Sequence, residues 1–478
     1  MMQSRGRGPT IRAAFYAERD QRTGQYAGDL SFAERPVVVV VGRCAAESHA
    51  GQVAALALNN MLARVHRCVT VVGPAAVPLM ARSLGSSTDL CTALVADAHL
   101  INPVIDFTLI EADLTTADLS DTSAAPWAES SVTVGVGPGM PSGLSIYVDW
   151  DGGRGEVRTR PTEPAADRRD DVVGAATAAC LGAAAVFVAA QDRPVRPVAV
   201  NLVEMAADDD CGPTSICGPV DVGRVVVLGA GAVTNALLYW TRELGCEGGW
   251  AVVDGDVTEL SNTNRCLLMT AADAGWPDGM PNGFAERKST VAARAVGAEE
   301  HSVWYDEYVA AHPERPDLLL VLANERAVRP LVSTRGEPLL LHATTSARWT
   351  AELHRHLADR DDCPACRLPD AASATFACSS GPADPSSAES SDAALPFLSA
   401  AAGLMLTIAL LDLPSVGRRF TEVDNHWVLF MDQREPLLQV NVYERRCPHV
   451  LRADVRADVH ARGSGRWDFL DSEAASAR

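Results

Sequence analysis

Two stretches of the chain repeat one order of apolar and polar residues. Each begins with a short aliphatic run, typical of a buried parallel strand, and continues with a helix-like stretch and a second apolar strand. These two β-α-β units span 37–72 and 224–253, and an apolar helix rich in small residues follows in each half, at 172–190 and 395–413. The pattern predicts an α/β protein with two similar halves. We interpret them as a weak internal duplication with a period of about 190 residues, the alternative being a chance likeness between two α/β domains.

Segments rich in proline, glycine, serine and aspartate separate the predicted elements. Residues 192–222 predict a linker, and residues 371–394 predict a mobile loop. The other predicted strands are 131–136, 144–148, 318–322 and 339–342, and the other predicted helices are 49–65 and 232–244. The predicted division is an N-terminal arm (1–35), a first α/β domain (36–191), the linker (192–222), a second α/β domain (223–450) and a C-terminal tail (451–478).

Composition limits the class of protein. Of the 478 residues 47% are apolar, and the net charge of −20 argues against a general binder of nucleic acids or anionic membranes. The start of the chain lacks the apolar segment of a secretion signal. Pro396 and Asp412 interrupt the apolar stretch at 395–413, which favours a buried helix over a membrane span. Twelve scattered cysteines indicate a reducing compartment, so we expect a cytoplasmic protein.

A glycine-rich turn follows the first strand of the second half. Gly229-Ala-Gly231 lies between a predicted strand and a predicted helix, where glycines let a phosphate approach the free N–H groups of the helix. Asp254 ends the next strand, 23 residues after Gly231, where a carboxylate can accept hydrogen bonds from ribose hydroxyls. These residues predict a Rossmann-like nucleotide site, with Thr234 in place of the usual third glycine.

The chain has a single lysine, Lys288, beside forty arginines. An ammonium is a compact point charge whereas a guanidinium is a flat fork, so the two are not equivalent at a phosphate. Lys288 is therefore a candidate phosphate ligand.

The segment after the second strand of this unit carries a longer motif. The motif reads Asp254-Gly-Asp256-Val-Thr-Glu-Leu-Ser261-Asn262-Thr-Asn-Arg265. It resembles the signature of the ThiF/MoeB/ubiquitin-activating superfamily of E1-like adenylating enzymes, and Lys288 stands where that family has a lysine at the start of the next helix. The resemblance covers residues 223 to about 450 and is strongest over 224–294.

The resemblance implies two ThiF-type halves that form an internal pseudo-dimer, with a C-terminal half that binds ATP and Mg²⁺. Preorganised cations and amides would stabilise the charge that develops when a carboxylate attacks the α-phosphorus. For the motif amide and arginine, the alternatives are a turn amide and a surface charge. The implied nucleotide-binding residues are Gly229, Gly231, Asp254, Asp256, Asn262, Arg265, Lys288 and Asn324, and the implied catalytic residues are Lys288, Arg265, Arg22 and Cys378.

The N-terminal part of the chain extends the resemblance. Arg22 matches a family arginine that reaches across the subunit interface towards the partner's ATP, and a solvated arginine is the alternative. The first half resembles the non-catalytic half of ubiquitin-activating enzymes, because Gly42-Arg43-Cys44 replaces the glycine-rich turn and the second strand ends at Gly73 without a carboxylate. One working site per chain follows from the resemblance.

The second half also departs from the family at one position. Asn324 stands where the family has an aspartate near the magnesium ion, and a neutral amide is a poorer ligand for a hard cation than a carboxylate. Either Glu325 or Asp256 compensates, or ATP turnover is weakened.

Two groups of cysteines are candidates for further chemistry. Cys363 and Cys366 have the spacing of a zinc half-site, and Cys447 with His449 would complete a structural Zn²⁺ site, the alternative being free thiols. Cys378 lies in the predicted mobile loop and would accept an acyl group, unless it is an incidental exposed cysteine. The isolated histidines, such as His342 and His426, form no pattern in the sequence.

The predicted function is ATP-dependent adenylation of the C-terminal carboxylate of a small ubiquitin-like or sulfur-carrier protein or of a precursor peptide, followed by acyl transfer to sulfur or nitrogen. The chain would act as a pseudo-dimeric monomer or a homodimer. The alternative is a catalytically degenerate relative that binds a peptide or partner protein for another enzyme. An NAD-dependent oxidoreductase would share the turn and Asp254 but does not account for Asn262, Arg265 and Lys288.

Overall fold

The structure is a computed structural model. It describes residues 8–27, 29–112, 131–162, 169–216, 218–276, 285–323, 328–335, 337, 339–357, 361–367, 395–413, 423–432 and 437–443.

The first half contains one mixed sheet of eight strands, in the order β3-β2-β1-β4-β5-β6-β7-β8. Strands β1 to β5 are parallel, and β6 to β8 extend the sheet in antiparallel fashion. The strands are β1 (Val37–Val41), β2 (Cys68–Gly73), β3 (Asp106–Glu111), β4 (Val132–Val136), β5 (Ile146–Asp151), β6 (Arg154–Arg158), β7 (Val198–Asn201) and β8 (Ala206–Ala207). The helices are α1 (Gly8–Arg19), α2 (Gln21–Ala27), α3 (Ser31–Glu34), α4 (Arg43–Ala46), α5 (His49–Val65), α6 (Leu90–Ile101) and α7 (Val172–Ala190).

The second half repeats this topology, with the strand order β11-β10-β9-β12-β13-β14-β15-β16. Strands β9 to β13 are parallel, and β14 to β16 are antiparallel additions. The strands are β9 (Val220–Leu228), β10 (Cys246–Val253), β11 (Glu299–His301), β12 (Leu318–Val321), β13 (Leu339–Thr345), β14 (Thr350–Leu357), β15 (His426–Phe430) and β16 (Leu438–Asn441). The helices are α8 (Ala232–Leu244), α9 (Lys288–Arg294), α10 (Tyr305–Ala311), α11 (Val328–Arg335), α12 (Pro364–Arg367) and α13 (Pro396–Asp412).

The matching strand orders confirm the prediction of an α/β fold with two Rossmann-like halves. Helices from both halves form the layer between the sheets, because α7 contacts α13 and α8, and α5 contacts α13. The inner faces of both sheets and these helices share one continuous apolar core. At Gly403 a Cβ atom would lie 2.5 Å from the backbone nitrogen of Leu237, so only glycine allows α13 to pack this closely on α8.

The two longest helices of the first half begin where the sequence predicts them, because a polar side chain caps each one. The Ser48 hydroxyl accepts a hydrogen bond from the Gly51 N–H at 3.0 Å, and the Asp171 carboxylate accepts one from the Val173 N–H at 2.8 Å. Helix α7 is long and apolar enough to cross a membrane, but 89% of its most apolar window is buried. It is a core helix of the layer between the sheets.

The structure differs from the expected arm and linker. Residues 1–35, predicted to be an arm with little apolar periodicity, contain α1, α2 and α3, and Phe15 and Tyr16 of α1 are buried against Leu260 and Ala271 of the second half. Because these partners lie far away in the sequence, the arm's own sequence does not show what covers Phe15 and Tyr16. Residues 192–222, expected to be a linker, contain β7 and β8, which complete the first sheet.

Candidate functional site

The glycine-rich turn joins β9 to α8 at the carboxyl end of the second sheet. Gly229 has a φ of +90°, and a Cβ atom there would lie 2.6 Å from the Cα of Ala323, so both conformation and space require glycine. A Cβ atom on Gly231 would meet nothing within 4 Å. Gly231 caps α8 without a side chain, so its first turn presents N–H groups to the open space above it. This geometry suits an approaching phosphate.

Two polar side chains of α8 hold the turn in place. Thr234, which replaces the third glycine, is fully buried, and its hydroxyl donates a hydrogen bond to the carbonyl of Gly229. The Asn235 amide donates to the carbonyls of Ala230 and Gly231 at 3.0 and 2.8 Å. The turn therefore keeps its shape with threonine at this position.

Asp254 links the turn to the next strand. One carboxylate oxygen accepts a hydrogen bond from the Ala230 N–H at 2.6 Å, and the other accepts one from the Asp256 N–H at 2.8 Å. Burial raises the pKa of Asp254, and these hydrogen bonds and the charge of Lys288 oppose the rise. The carboxylate expected at the ribose thus lies directly beside the turn.

Lys288 opens α9 and pairs with Asp256. Its ammonium lies 2.8 Å from the Asp256 carboxylate, and its backbone N–H donates to the Asp256 carbonyl at 3.0 Å. Burial alone would lower the pKa of Lys288, but the Asp256 hydrogen bond and the charge of Asp254 raise it above its ordinary value. The side chain is 14% exposed, so the lone lysine is a charged, half-buried group beside the turn.

The Asn262 side chain has a structural role in the motif segment. Residues Leu260–Asn262 form one 3₁₀ turn, in which the side-chain Oδ1 of Asn262 accepts from the Glu259 N–H at 2.9 Å as part of a capping box. The alternative interpretation of Asn262 as a turn amide therefore fits this contact. A role beside the phosphates stays a prediction. Arg265, 7% exposed, donates to the Ser261 carbonyl at 2.7 Å.

The charges of several cations act on the buried thiol of Cys266. Burial raises the pKa of this thiol, and the positive charges of Arg265, Arg64, Lys288 and Arg22 act in the opposite direction. Three of these cations, Arg265, Lys288 and Arg22, are predicted catalytic residues. The carboxylates of Asp254 and Asp256 add negative charge beside Lys288.

Arg22 belongs to the N-terminal segment of the chain. It lies on α2, and the hydroxyl of the next residue, Thr23, accepts a hydrogen bond from the Asn264 amide of the motif segment at 3.0 Å. This hydrogen bond joins helix α2 to the motif segment of the same chain. Arg22 is half-buried there.

The sequence analysis missed Arg64, which belongs to α5 of the first half. Arg64 is fully buried and donates to three backbone carbonyls of the second half, those of Thr263, Leu267 (2.7 Å) and Met269 (3.0 Å). Its Nε donates to Asn60 at 2.8 Å, and burial lowers its pKa to about 9. The one signal in the sequence is the Asn60/Arg64 pair, four residues apart within an otherwise apolar helix.

The other predicted site residues are not tested. Asn324, Cys378, Cys447 and His449 lie outside the described residues. Cys363 and Cys366 flank one turn at the start of α12, where the Cys366 N–H donates to the Cys363 carbonyl at 3.0 Å. The zinc site that they would form remains a prediction.

Comparisons with known proteins find similarity to parts of the chain. Residues 36–202 match the family described as the BilD N-terminal domain. Over 146 residues the chain is 30% identical to the uncharacterized protein y4jF of Sinorhizobium fredii (strain NBRC 101917 / NGR234), a match that covers 29% of this chain and 27% of that protein. The chain thus spans about a quarter of the length of this curated relative.

Similar solved structures include those of Escherichia coli MccB. The crystal structure of MccB with MccA-N7isoASN has a TM-score of 0.36 and 14% identity and covers 48% of this chain and 67% of that one. The structure of MccB with ATP has a TM-score of 0.34 and 14% identity and covers 47% and 65% of the two chains.

Proposed function

We propose that this chain is an E1-like, ThiF-type adenylating enzyme with one ATP site, in the second half. The observation that carries the proposal is the open turn at Gly231 beside the linked side chains of Asp254, Asp256 and Lys288. A nucleotide would place its phosphates over the N-terminus of α8 and its ribose near Asp254.

The chemistry is the attack of a carboxylate oxygen on the α-phosphorus of ATP. A new bond forms between that oxygen and phosphorus, the bond from phosphorus to the bridging oxygen breaks, and pyrophosphate leaves with the electron pair. Lys288, Arg265 and Arg22 would stabilise the charge that develops on the phosphate oxygens. The Asp256 carboxylate, with a side chain 22% exposed, has the oxygen ligands that Mg²⁺ prefers, and bound Mg²⁺ would neutralise phosphate charge.

The first half supports one site per chain. Its turn after β1 is closed, because a Cβ atom on Gly42 would lie 2.9 Å from the sulfur of Met140, which packs there with Leu144 and Tyr147. Strand β2 ends at Gly73 without a carboxylate. We therefore propose that the first half is an inactive partner that contributes the arm and Arg64 to the site.

The proposed substrate is the C-terminal carboxylate of a small ubiquitin-like or sulfur-carrier protein or of a precursor peptide, with acyl transfer to sulfur or nitrogen afterwards. The proposed acceptor for transfer to sulfur is Cys378. Cys363, Cys366, Cys447 and His449 stay the proposed ligands of a structural Zn²⁺. The alternative, a degenerate relative that only binds a peptide or partner protein, is favoured by Asn324 in place of the family aspartate.

A matched pair of glycine variants tests whether phosphates bind over Gly231. Gly231 and Gly249 both have open space around a new Cβ atom, but Gly249 lies at the exposed start of β10, away from the turn. We expect Gly231→Ala to cost at most about 1 kcal/mol of unfolding free energy, because alanine caps a helix less well than glycine, and to lose ATP binding and ATP–pyrophosphate exchange with carboxylate partners. Gly249→Ala should keep ATP binding and pyrophosphate exchange. Equal nucleotide affinity in the two variants would reject phosphate binding over Gly231.

Pyrophosphate exchange also distinguishes an adenylating enzyme from a degenerate relative. An adenylating enzyme should show exchange that depends on a protein or peptide with a free C-terminal carboxylate. The same partner with an amidated C-terminus should be inactive. Peptide binding that is indifferent to ATP, without exchange for any carboxylate partner, would establish the degenerate relative instead.

A further inference from the structure

Histidines that are far apart in the sequence converge on the outer face of the second sheet. His354 of β14 is the direct cross-strand partner of His342 on β13 and of His426 on β15. Because directly opposed residues point to the same face, their rings stack, with centroids 4.5 Å apart for His342 and His354 and 4.2 Å apart for His354 and His426. The inner-face residues of these strands, such as Leu353, belong to the core shared with α13. The proposed ATP chemistry uses none of these histidines.

Three donor atoms meet within this cluster. Oε2 of Glu352 lies 3.2 Å from Nε2 of His426 and 3.5 Å from Nε2 of His354, and the three ligand atoms lie within 4.8 Å of one another. Zinc binds imidazole nitrogen and carboxylate oxygen at about 2.0–2.2 Å, so neighbouring ligands of a tetrahedral site are about 3.4 Å apart. The two measured separations therefore match edges of such a tetrahedron.

Neighbouring side chains orient the donor atoms. The Thr350 hydroxyl donates a hydrogen bond to Oε1 of Glu352 at 2.5 Å, which leaves Oε2 directed at the histidines. Nδ2 of Asn441 lies 3.1 Å from Nδ1 of His426, which leaves Nε2 of that ring directed at Glu352. The hydrogen bond from Thr350 to the far oxygen of Glu352 is of the kind that orients carboxylate ligands in metal sites.

The ring of His354 is buried without a close hydrogen bond. It is 2% exposed, its Nδ1 has no hydrogen-bond partner among the described residues, and its Nε2 faces Oε2 of Glu352 at 3.5 Å. A buried imidazole without hydrogen bonds is costly, and coordination of a cation would offset that cost.

We propose that Glu352, His354 and His426 bind one Zn²⁺ ion, with the fourth position open to water on the side where Glu352 is exposed. Two imidazoles and one carboxylate suit zinc, whereas Mg²⁺ and Ca²⁺ prefer sites made of oxygen alone. This site is separate from the one predicted at Cys363 and Cys366, and it is independent of the proposed ATP site. It would join β14 to β15 on the outer face of the sheet.

Cobalt substitution of the full-length protein tests the proposal. The protein is stripped with a chelator and titrated with Co²⁺, which takes zinc sites and reports its ligands through its absorption spectrum. A site with cysteine ligands adds a sulfur-to-cobalt charge-transfer band in the near ultraviolet, whereas the proposed site adds only visible d–d bands. We expect one equivalent of Co²⁺ that binds without charge-transfer intensity, and displacement of it by Zn²⁺.

Variants then assign that equivalent to its ligands. Glu352→Gln, which keeps the shape of the side chain, and His354→Gln should lose it, while Thr350→Val should weaken its binding by about 10–100-fold. His342→Gln is the matched control, because His342 is 4% exposed and stacks on His354 but contributes no atom to the triplet. Binding of Co²⁺ solely with charge-transfer intensity, no binding at all, or an unchanged affinity in Glu352→Gln would overturn the proposal. The wild-type spectrum decides the matter even where a variant fails to fold.

Discussion

Arg64 gives the sharpest test of how the two halves depend on each other. In Arg64→Met the backbone carbonyls of Thr263 and Met269 and the side-chain carbonyl of Asn60 lose their buried donor, whereas the Leu267 carbonyl keeps the Asn60 amide. A buried carbonyl without a partner costs about 1–3 kcal/mol, which sums to roughly 3–9 kcal/mol. Removal of the guanidinium also relieves its own desolvation, which the lowered pKa of Arg64 reflects. We expect a net loss of about 3–5 kcal/mol, as for other broken buried charge networks.

The variant should still fold if the protein has an ordinary stability of about 5–15 kcal/mol, which allows two measurements. Guanidinium chloride unfolding gives the loss of free energy, and amide hydrogen exchange should show faster exchange over residues 263–269. ATP affinity should fall at least about tenfold, equivalent to 1.4 kcal/mol, because Arg265 lies in the segment that is released and Asn262 directly precedes it.

Arg355→Met is the matched control. Arg355 is 1% exposed and pairs with Asp361 at 2.9 and 3.1 Å, so its removal also leaves a buried partner. It should destabilise the protein comparably without changing exchange over 263–269. An Arg64→Met protein whose unfolding free energy lies within 1 kcal/mol of the wild type, with unchanged exchange in that segment, would refute this account.

Three further predictions concern single side chains. Lys288→Ala should abolish pyrophosphate exchange and cost only about 1 kcal/mol of stability, because one part-exposed pair with Asp256 is lost; Arg294→Ala, on the same helix and 57% exposed, should keep the activity. Gly229→Ala should destabilise the protein by more than about 1 kcal/mol in denaturant unfolding, since its φ is +90° and the new Cβ would lie 2.6 Å from a backbone atom. Asp97 is 2% exposed, and burial raises its pKa to about 6 from 3.8, so the folded protein binds the extra proton and the unfolding free energy should fall by up to about 3 kcal/mol as pH rises from 4 to 6. Unfolding of Asp97→Asn across this range should lack that part of the pH dependence.

Helices and strands whose sequence signals lie within their own segment could be predicted from the sequence. Helices at His49–Val65, Val172–Ala190 and Ala232–Leu244 have the predicted bounds, because a cap or a glycine turn precedes each and the apolar pattern continues to the end. The glycine turn, Asp254 and Lys288 come together because the carboxyl ends of parallel strands lie at one edge of the sheet.

Features whose partners are distant could not be predicted. Helix α1 is stabilised by contacts with Leu260 and Ala271, and the carbonyls that bind Arg64 lie about two hundred positions further along the chain. His342, His354 and His426 meet because of the antiparallel register of three strands, and no spacing within the sequence indicates that register.

The continuity of the polypeptide between the two sheets has a consequence for how the site responds to dilution. In an assembly of separate subunits, lower protein concentration removes a neighbour's side chains by mass action. Here Arg22, Arg64 and the glycine turn belong to one molecule, so their encounter is intramolecular and has a fixed effective concentration. The groups around the turn therefore stay together at the lowest concentrations at which the protein remains folded.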